Sequence, residues 1–141
     1  LHYTFFAPDE LVLVTRTGGR YARTESLTCE QLLSTPLVLR ENGSGTLEVI
    51  SAALAAKGIR LSQLDVVMRL GTTEGIKGFV RNSDVLAIVS VTSVVDELRS
   101  GALRIIDIEG LTLSRDFNFV HAEAEPARLV RQFVDFARAN R

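Results

Sequence analysis

Residues 37–57 constrain the fold of this chain more than any other stretch. A short apolar run is followed by a loop that contains Gly43, Ser44, Gly45 and Thr46, and then by apolar residues at helical spacing. This order predicts a strand, a tight turn and a helix. The first turn of a helix presents N–H groups that have no intrahelical partner, together with the positive end of the helix dipole. The loop is therefore a candidate site for an anionic or polar group.

The same arrangement recurs further along the chain. Residues 65–80 contain an apolar run, a turn in which Thr72 and Thr73 begin a helix, and an apolar helix face at Ile76, Phe79 and Val80. Residues 85–101 repeat the order once more. Strands that alternate with helices in this way predict an α/β fold with a mainly parallel sheet.

Caps and chain breakers predict where several elements begin and end. A first helix is expected from Thr28 to about Ser34, with Gln31 as the capping-box partner. Gly58 is the expected C′ residue of the helix that follows the loop at residues 43–46. A third helix is expected to be capped by Thr92 and Ser93, and a last helix to begin at Pro126. Residues 1–7 are expected to be extended and residues 8–10 to form a turn. A strand buried on both faces follows at residues 11–15. The last helix is expected to bury a stripe formed by Leu129, Val130, Phe133, Phe136 and Ala137.

The charge and cysteine content exclude several classes of protein. A formal net charge of −1, with acids and bases evenly mixed, argues against a nucleic-acid surface within this chain. Cys29 is the only cysteine, so no internal disulfide can form, and a reducing cytoplasm is the expected setting. No apolar run reaches the roughly 20 residues that a membrane-spanning helix needs.

No pattern in the sequence predicts catalysis. Ser44 lies directly between two glycines, whereas a nucleophile elbow needs one residue between the serine and each glycine. Glu48 occupies the place of the third glycine of a dinucleotide fingerprint, and His2 and His121 are in no metal-ligand spacing. We therefore expect no enzymatic activity, no metal and no cofactor. The hydroxyl residues of the two helix starts are candidates both as helix caps and as ligand-binding groups, and the two roles are compatible.

Four ordered segments resemble the effector-binding domain of LysR-type transcriptional regulators. They are PLVLRENGSGT at residues 36–46, LGTTEGIKGFV at 70–80, LAIVS at 86–90 and ELRSGAL at 97–103. The resemblance extends over almost the whole chain. It implies a fold like that of type 2 periplasmic binding proteins, in which two α/β lobes hold a small effector between them.

The resemblance also implies how the chain is organised. Residues 9–101 would form one complete lobe with a mainly parallel sheet, residues 1–8 and 103–110 the crossing segments, and residues 111–141 the C-terminal part of the other lobe. The helix-turn-helix domain through which such a regulator binds DNA would lie outside this chain. The last helix would then lack part of the sheet that it covers, and we expect it either to pack its apolar stripe against another copy of the chain or to be poorly ordered.

The effector expected from the resemblance is a small anionic or polar molecule. Its binding residues would be Ser44, Gly45, Thr46, Thr72 and Thr73. The other expected partner is a second copy of the regulator, as a homodimer or tetramer, without membrane contact. Two alternatives remain open: a solute-binding protein of a transporter with the same two-lobed fold, and a small α/β enzyme.

Overall fold

The computed structural model describes residues 1–122 and 124–141. The chain divides into two compact units. The larger unit is Glu10–Leu113, and the smaller joins Leu1–Asp9 to Ser114–Arg141. The elements in chain order are β1 (His2–Arg16), β2 (Ser26–Leu27), α1 (Cys29–Leu33), β3 (Leu37–Arg40), α2 (Gly45–Ala55), β4 (Val66–Leu70), α3 (Thr73–Arg81), β5 (Leu86–Ser90), α4 (Val95–Ser100), β6 (Leu103–Ile108), β7 (Leu113–His121) and α5 (Arg128–Ala139), with 3₁₀ turns at Leu61–Gln63 and Val91–Val94.

The larger unit is built on a mixed sheet in the order β2-β6-β1-β5-β3-β4. Strand β3 pairs in parallel with β4 and β5, and β2 pairs in parallel with β6. Strand β1 is antiparallel to its two neighbours in this order, β5 and β6, and it also pairs with β7. The alternation of strands and helices predicted the parallel part of this sheet. The apolar pattern of a strand carries no information about its direction, so the antiparallel β1 in the middle was not predicted.

Strand β1 separates two apolar cores in the larger unit. Successive side chains of a strand point to opposite faces, so one core receives Leu11 and Leu13 and the other receives Val12 and Val14. Helix α2 covers the first core and α3 the second. The buried helix residues that do so are Leu47, Ile50 and Leu54 on α2, and Ile76 and Val80 on α3. The prediction of a strand buried on both faces is confirmed.

Two predicted helix boundaries are confirmed by their hydrogen bonds. The Thr28 N–H donates to Gln31 Oε1 at 2.9 Å while the Gln31 N–H donates to Thr28 Oγ1 at 3.1 Å, which is a complete capping box. At the end of α2, the Gly58 N–H donates to Ala55 O and the Ile59 N–H donates to Leu54 O. Gly58 has a φ of +75°, so it is the left-handed C′ residue of a Schellman motif.

The predicted turn at residues 8–10 is wrong, because β1 runs without a break through Pro8 and Asp9. The Asp9 carboxylate is fully buried and accepts a hydrogen bond of 2.8 Å from Arg115 Nε on β7. A charge paired in this way can occupy the interior, so an aspartate that reads as a turn residue is held inside a strand instead.

The predicted cap of the third helix and the predicted first residue of the last helix are also wrong. Helix α4 begins at Val95 and has no side-chain cap. Ser93 Oγ instead donates to Ser90 O at 2.6 Å, within the 3₁₀ turn Val91–Val94. Helix α5 begins at Arg128, two residues after the expected position at Pro126, with Ala127 as its N-cap.

Helix α5 presents its apolar stripe to solvent within this chain. Leu129 is 76% exposed, Phe133 61% and Phe136 67%, although the helical spacing predicted burial. The edge-to-face contact of Phe133 with Phe119, at 6.0 Å between ring centroids, joins α5 to β7. The spacing identified a helix correctly, but it could not show whether a sheet covers the apolar face.

Candidate functional site

The two helix starts that the sequence singled out lie at one edge of the sheet. Strands β3 and β4 are parallel neighbours, and their register ends with Arg40 opposite Leu70. The Glu41 N–H continues this ladder by donating to Leu70 O at 3.2 Å. Both strands therefore end together, and α2 and α3 both begin beyond the carboxyl ends of these strands, on opposite faces of the sheet. In open α/β sheets this edge is where ligands usually bind.

Ser44 is the N-cap of α2. Its extended backbone, with φ −75° and ψ 143°, allows Oγ to accept a hydrogen bond of 3.2 Å from the Leu47 N–H. Gly45 is the first residue of the helix, and Thr46 is half-buried. A hydroxyl that accepts a capping bond still has a proton to donate, so capping does not exclude contact with a ligand.

Thr72 caps α3 in the same manner, and Thr73 is the first residue of that helix. Thr72 Oγ1 accepts a hydrogen bond of 3.0 Å from the Gly75 N–H. A Cβ at Gly75 would lie only 2.9 Å from this oxygen, so the absence of a side chain at that position allows the close cap. Thr73 is half-buried, and it is Thr72, not Thr73, that caps the helix.

A third group of hydroxyls lies at the end of β5, where Thr92 and Ser93 were predicted only as helix caps and Ser90 as the end of a strand. Strand β5 is the other parallel neighbour of β3, so it ends at the same edge of the sheet. The hydroxyls of Ser90 and Thr92 are 2.9 Å apart at the start of the turn Val91–Val94. The signal was present in the sequence, since an apolar strand followed by small hydroxyl residues occurs here for the third time.

The charges around these helix starts are mixed. Glu41 lies beside Gly71. A Cβ built on that glycine would be 3.5 Å from Glu41 Oε2. Glu48 and Glu74 lie in the first turns of α2 and α3. On the basic side, Arg69 Nη1 donates to Arg40 O at 3.3 Å, and Arg40 Nε is buried without a hydrogen-bond partner among the described residues. This edge therefore carries both carboxylates and guanidinium groups.

Lys77 is a further residue near this edge, and its role was not predicted from the sequence. Lys77 lies four residues after Thr73 on α3, and it is only 6% exposed. Phe79 on the same helix, which was expected to face inward, is half-buried. Lys77 Nζ is 2.8 Å from Glu97 Oε1, and this hydrogen bond is the main reason that the pKa of Lys77 is raised above its ordinary value. The same bond lowers the pKa of Glu97.

The histidines and the cysteine lie outside this edge. The rings of His2 and His121 stack at 5.7 Å between centroids in the smaller unit, where they line an open cavity of about 380 Å³. Cys29 is half-buried, with Sγ 3.8 Å from Glu109 O. Across residues 1–122 and 124–141, no cluster of three or more His, Cys, Asp or Glu side chains is arranged to hold a metal ion. Within the same residues, no helix has the length and apolar character needed to cross a membrane.

The fold is that of an α/β domain of the periplasmic-binding-protein type. Known proteins identify its family. The model of the LysR substrate binding domain matches residues 1–141, and the chain belongs to this family.

Two curated relatives show how this domain occurs in longer proteins. The chain is 35% identical over 140 residues to the phosphonates import ATP-binding protein PhnC of Anaeromyxobacter dehalogenans, matching 99% of this chain and 28% of that protein. It is 31% identical over 129 residues to the uncharacterized HTH-type transcriptional regulator YeiE of Escherichia coli K12, matching 91% of this chain and 43% of the regulator. The chain therefore spans less than half the length of either relative.

Two solved structures share the fold. The regulatory domain of CcmR from Synechocystis PCC6803, in complex with 2-PG, superposes with a TM-score of 0.83 at 21% identity, covering 99% of this chain and 66% of that one. The effector binding domain of QuiR, in complex with shikimate, superposes with a TM-score of 0.79 at 15% identity, covering 99% and 64%. At these identities the likeness establishes the fold alone.

Proposed function

We propose that this chain is the effector-sensing part of a LysR-type transcriptional regulator, and that its effector binds at the starts of α2 and α3. The binding residues are Ser44, Gly45, Thr46, Thr72 and Thr73. The observation that carries this proposal is the pairing of β3 with β4, because it brings two capped helix N-termini to one edge of the sheet.

The effector we propose is a small molecule with one anionic group and neighbouring hydroxyl groups. Helix N-termini favour a negative charge, but each exposed end contributes only about 0.3–1 kcal/mol, so further hydrogen bonds are needed for useful affinity. Glu41, beside Gly71, can accept a hydrogen bond from a hydroxyl or amino group of the effector. Shikimate, which is bound to the effector domain of QuiR, is a hydroxylated carboxylate of this class.

Binding of the effector would regulate DNA binding through a separate helix-turn-helix domain. In this proposal the effector favours one of two arrangements of a homodimer or tetramer, and the differential affinity for the two arrangements sets the strength of regulation. The protein would act in the cytoplasm, where its DNA target lies. We assign no catalytic residue, since the family consists of ligand-binding domains of transcriptional regulators.

Replacing Thr73 by valine tests the site. Valine keeps the shape of threonine but removes the hydroxyl, and Thr72 rather than Thr73 makes the cap, so α3 is expected to keep its start. Affinity for whichever of 2-PG, shikimate or inorganic phosphate binds the unaltered chain is expected to fall roughly tenfold, the cost of one hydrogen bond to a charged group. Isothermal titration calorimetry measures the change, and unchanged affinity would contradict the assignment of Thr73.

A matched pair of cap variants separates binding from folding. Ser44→Ala removes a helix cap at the proposed site, and Thr28→Ala removes one at α1, outside it. Each is expected to cost about 1 kcal/mol of stability, the usual value for a lost N-cap. Only Ser44→Ala is expected to weaken binding of the effector. Equal effects of the two variants on affinity would show that Ser44 acts through stability alone.

The solute-binding protein of a transporter is not favoured as an alternative. The matches are to the LysR domain family and to regulators, and the PhnC match covers 28% of a protein named for ATP binding. The coding sequence upstream of Leu1 gives a direct test. We expect a basic helix-turn-helix there, whereas a secretion signal would overturn the assignment to a regulator.

A further inference from the structure

Lys77 is a charged side chain buried inside the larger unit, with every donor of its ammonium group satisfied. Its Nζ donates to Ser93 O at 2.8 Å and lies 2.8 Å from Glu97 Oε1 and 2.9 Å from Glu74 Oε1. An ammonium group has three N–H donors, so these three acceptors use all of them.

These contacts join α3 to the turn that follows β5. Ser93 belongs to the turn Val91–Val94, and Glu97 belongs to α4, which continues from that turn. Lys77 lies one helical turn after Thr73, on the same helix whose start forms part of the proposed site. The network therefore determines where the turn lies relative to the start of α3.

Stability alone does not explain a lysine at this position. Replacing a buried ion pair by well-packed apolar side chains is often neutral or stabilising, because burying charges costs desolvation energy. Directed hydrogen bonds, unlike apolar packing, fix the position of the Ser93 carbonyl relative to Lys77. Ser93 in turn donates from Oγ to Ser90 O at 2.6 Å, which extends the fixed geometry to the end of β5.

We infer that Lys77 is a positioning residue for effector binding, in addition to the residues of the proposed site. By holding Ser93 and Glu97, it fixes the turn Val91–Val94 so that the hydroxyls of Ser90 and Thr92 form a third side of the site, beside the starts of α2 and α3. The effector then receives hydroxyl contacts from the end of β5 as well as the two helix N-termini. This inference rests on the proposed function.

The test compares variants of this chain by amide hydrogen exchange and by nuclear magnetic resonance titration with 2-PG, shikimate and inorganic phosphate. In Lys77→Met, exchange at residues 91–94 is expected to be about tenfold faster, while Gly45 at the start of α2 keeps its rate. Affinity for the probe that binds the unaltered chain is expected to fall by about fivefold or more. The exposed Arg99 on α4 supplies the control, since Arg99→Met is expected to change neither quantity.

A second variant keeps the inference testable if Lys77→Met does not fold. Glu97→Gln removes the ion pair and keeps the size of the side chain, and it is expected to loosen the same turn and weaken the same probe. If the probes bind and either folded variant retains full affinity, Lys77 has a structural role only and the inference is overturned. If no probe shifts the amides of Gly45 or Thr73 in the unaltered chain, the assignment of the effector site to this edge fails, and the inference fails with it.

Discussion

At the scale of single residues, Gly19 shows how a missing side chain permits an ion pair. Arg16 donates from Nε and Nη2 to Asp84 Oδ1 at 3.0 and 2.8 Å, and the Arg20 N–H donates to the same oxygen at 3.0 Å. A Cβ at Gly19 would lie 2.6 Å from Arg16 Nε and 2.7 Å from Asp84 Oδ1. Any larger residue at position 19 therefore displaces the pair that joins the end of β1 to the turn before β5.

Gly19→Ala is expected to destabilise the chain by displacing this ion pair. The melting temperature is expected to fall by about 3 °C, as measured by calorimetry. The effect is expected to be much smaller in an Asp84→Asn background, because the two changes remove the same interaction and are not additive. Gly78→Ala is the control: a Cβ there meets nothing within 4 Å, and alanine favours a helix, so stability is expected to be unchanged or slightly higher. Full additivity of Gly19→Ala and Asp84→Asn would contradict this explanation.

At the scale of elements, charged side chains hold α3, the turn Val91–Val94 and α4 together. The hydrogen bond from Lys77 is the main cause of the lowered pKa of Glu97, whose ordinary value is 4.5. A carboxyl group with a lower pKa in the folded state stabilises that state above its unfolded pKa, and the contribution is lost as the pH falls through the folded value. The pKa of Lys77 is raised above its ordinary value of 10.5. Its ion pair therefore stabilises the folded state below pH 10.5, and this contribution is lost as the pH rises through the folded pKa.

The free energy of unfolding is therefore expected to fall when the pH is lowered from about 5 towards 3. Urea unfolding at a series of pH values measures this dependence. Glu97→Gln is expected to make the acid dependence shallower, because the variant cannot lose the charge that pairs with Lys77. Part of the slope is expected to remain, since the Arg20 N–H and Arg16 also lower the pKa of Asp84. An unchanged slope in Glu97→Gln would show that the pair does not contribute to acid unfolding.

At the scale of the whole molecule, the two units differ in how much apolar surface they bury. Residues 11–15 of β1, in the larger unit, are buried on both faces, whereas α5 of the smaller unit exposes Leu129, Phe133 and Phe136. Exposed apolar surface of this kind is usually covered in solution, by another chain or by aggregation.

We expect the isolated chain to self-associate through α5. Gel filtration with light scattering is expected to give a mass above that of one chain. The double variant Phe133→Glu, Phe136→Glu is expected to have the mass of the monomer. Gln132→Glu, an exposed polar position on the same helix, adds one charge without removing apolar area and is expected to keep the larger mass. A monomeric unaltered chain at all concentrations would contradict this expectation.

The sequence by itself determined the local structure of this protein. The capping box at Thr28, the caps at Ser44 and Thr72 and the left-handed Gly58 follow from interactions within a few residues, so their patterns are visible in the chain. The alternation of strands and helices likewise predicted the parallel part of the sheet. Only the tertiary structure decided that β1 is antiparallel, that Asp9 is buried against Arg115 from 106 residues away, and that Lys77 meets Ser93 and Glu97. These features depend on partners distant in sequence, and neither periodicity nor capping patterns carry information about such partners.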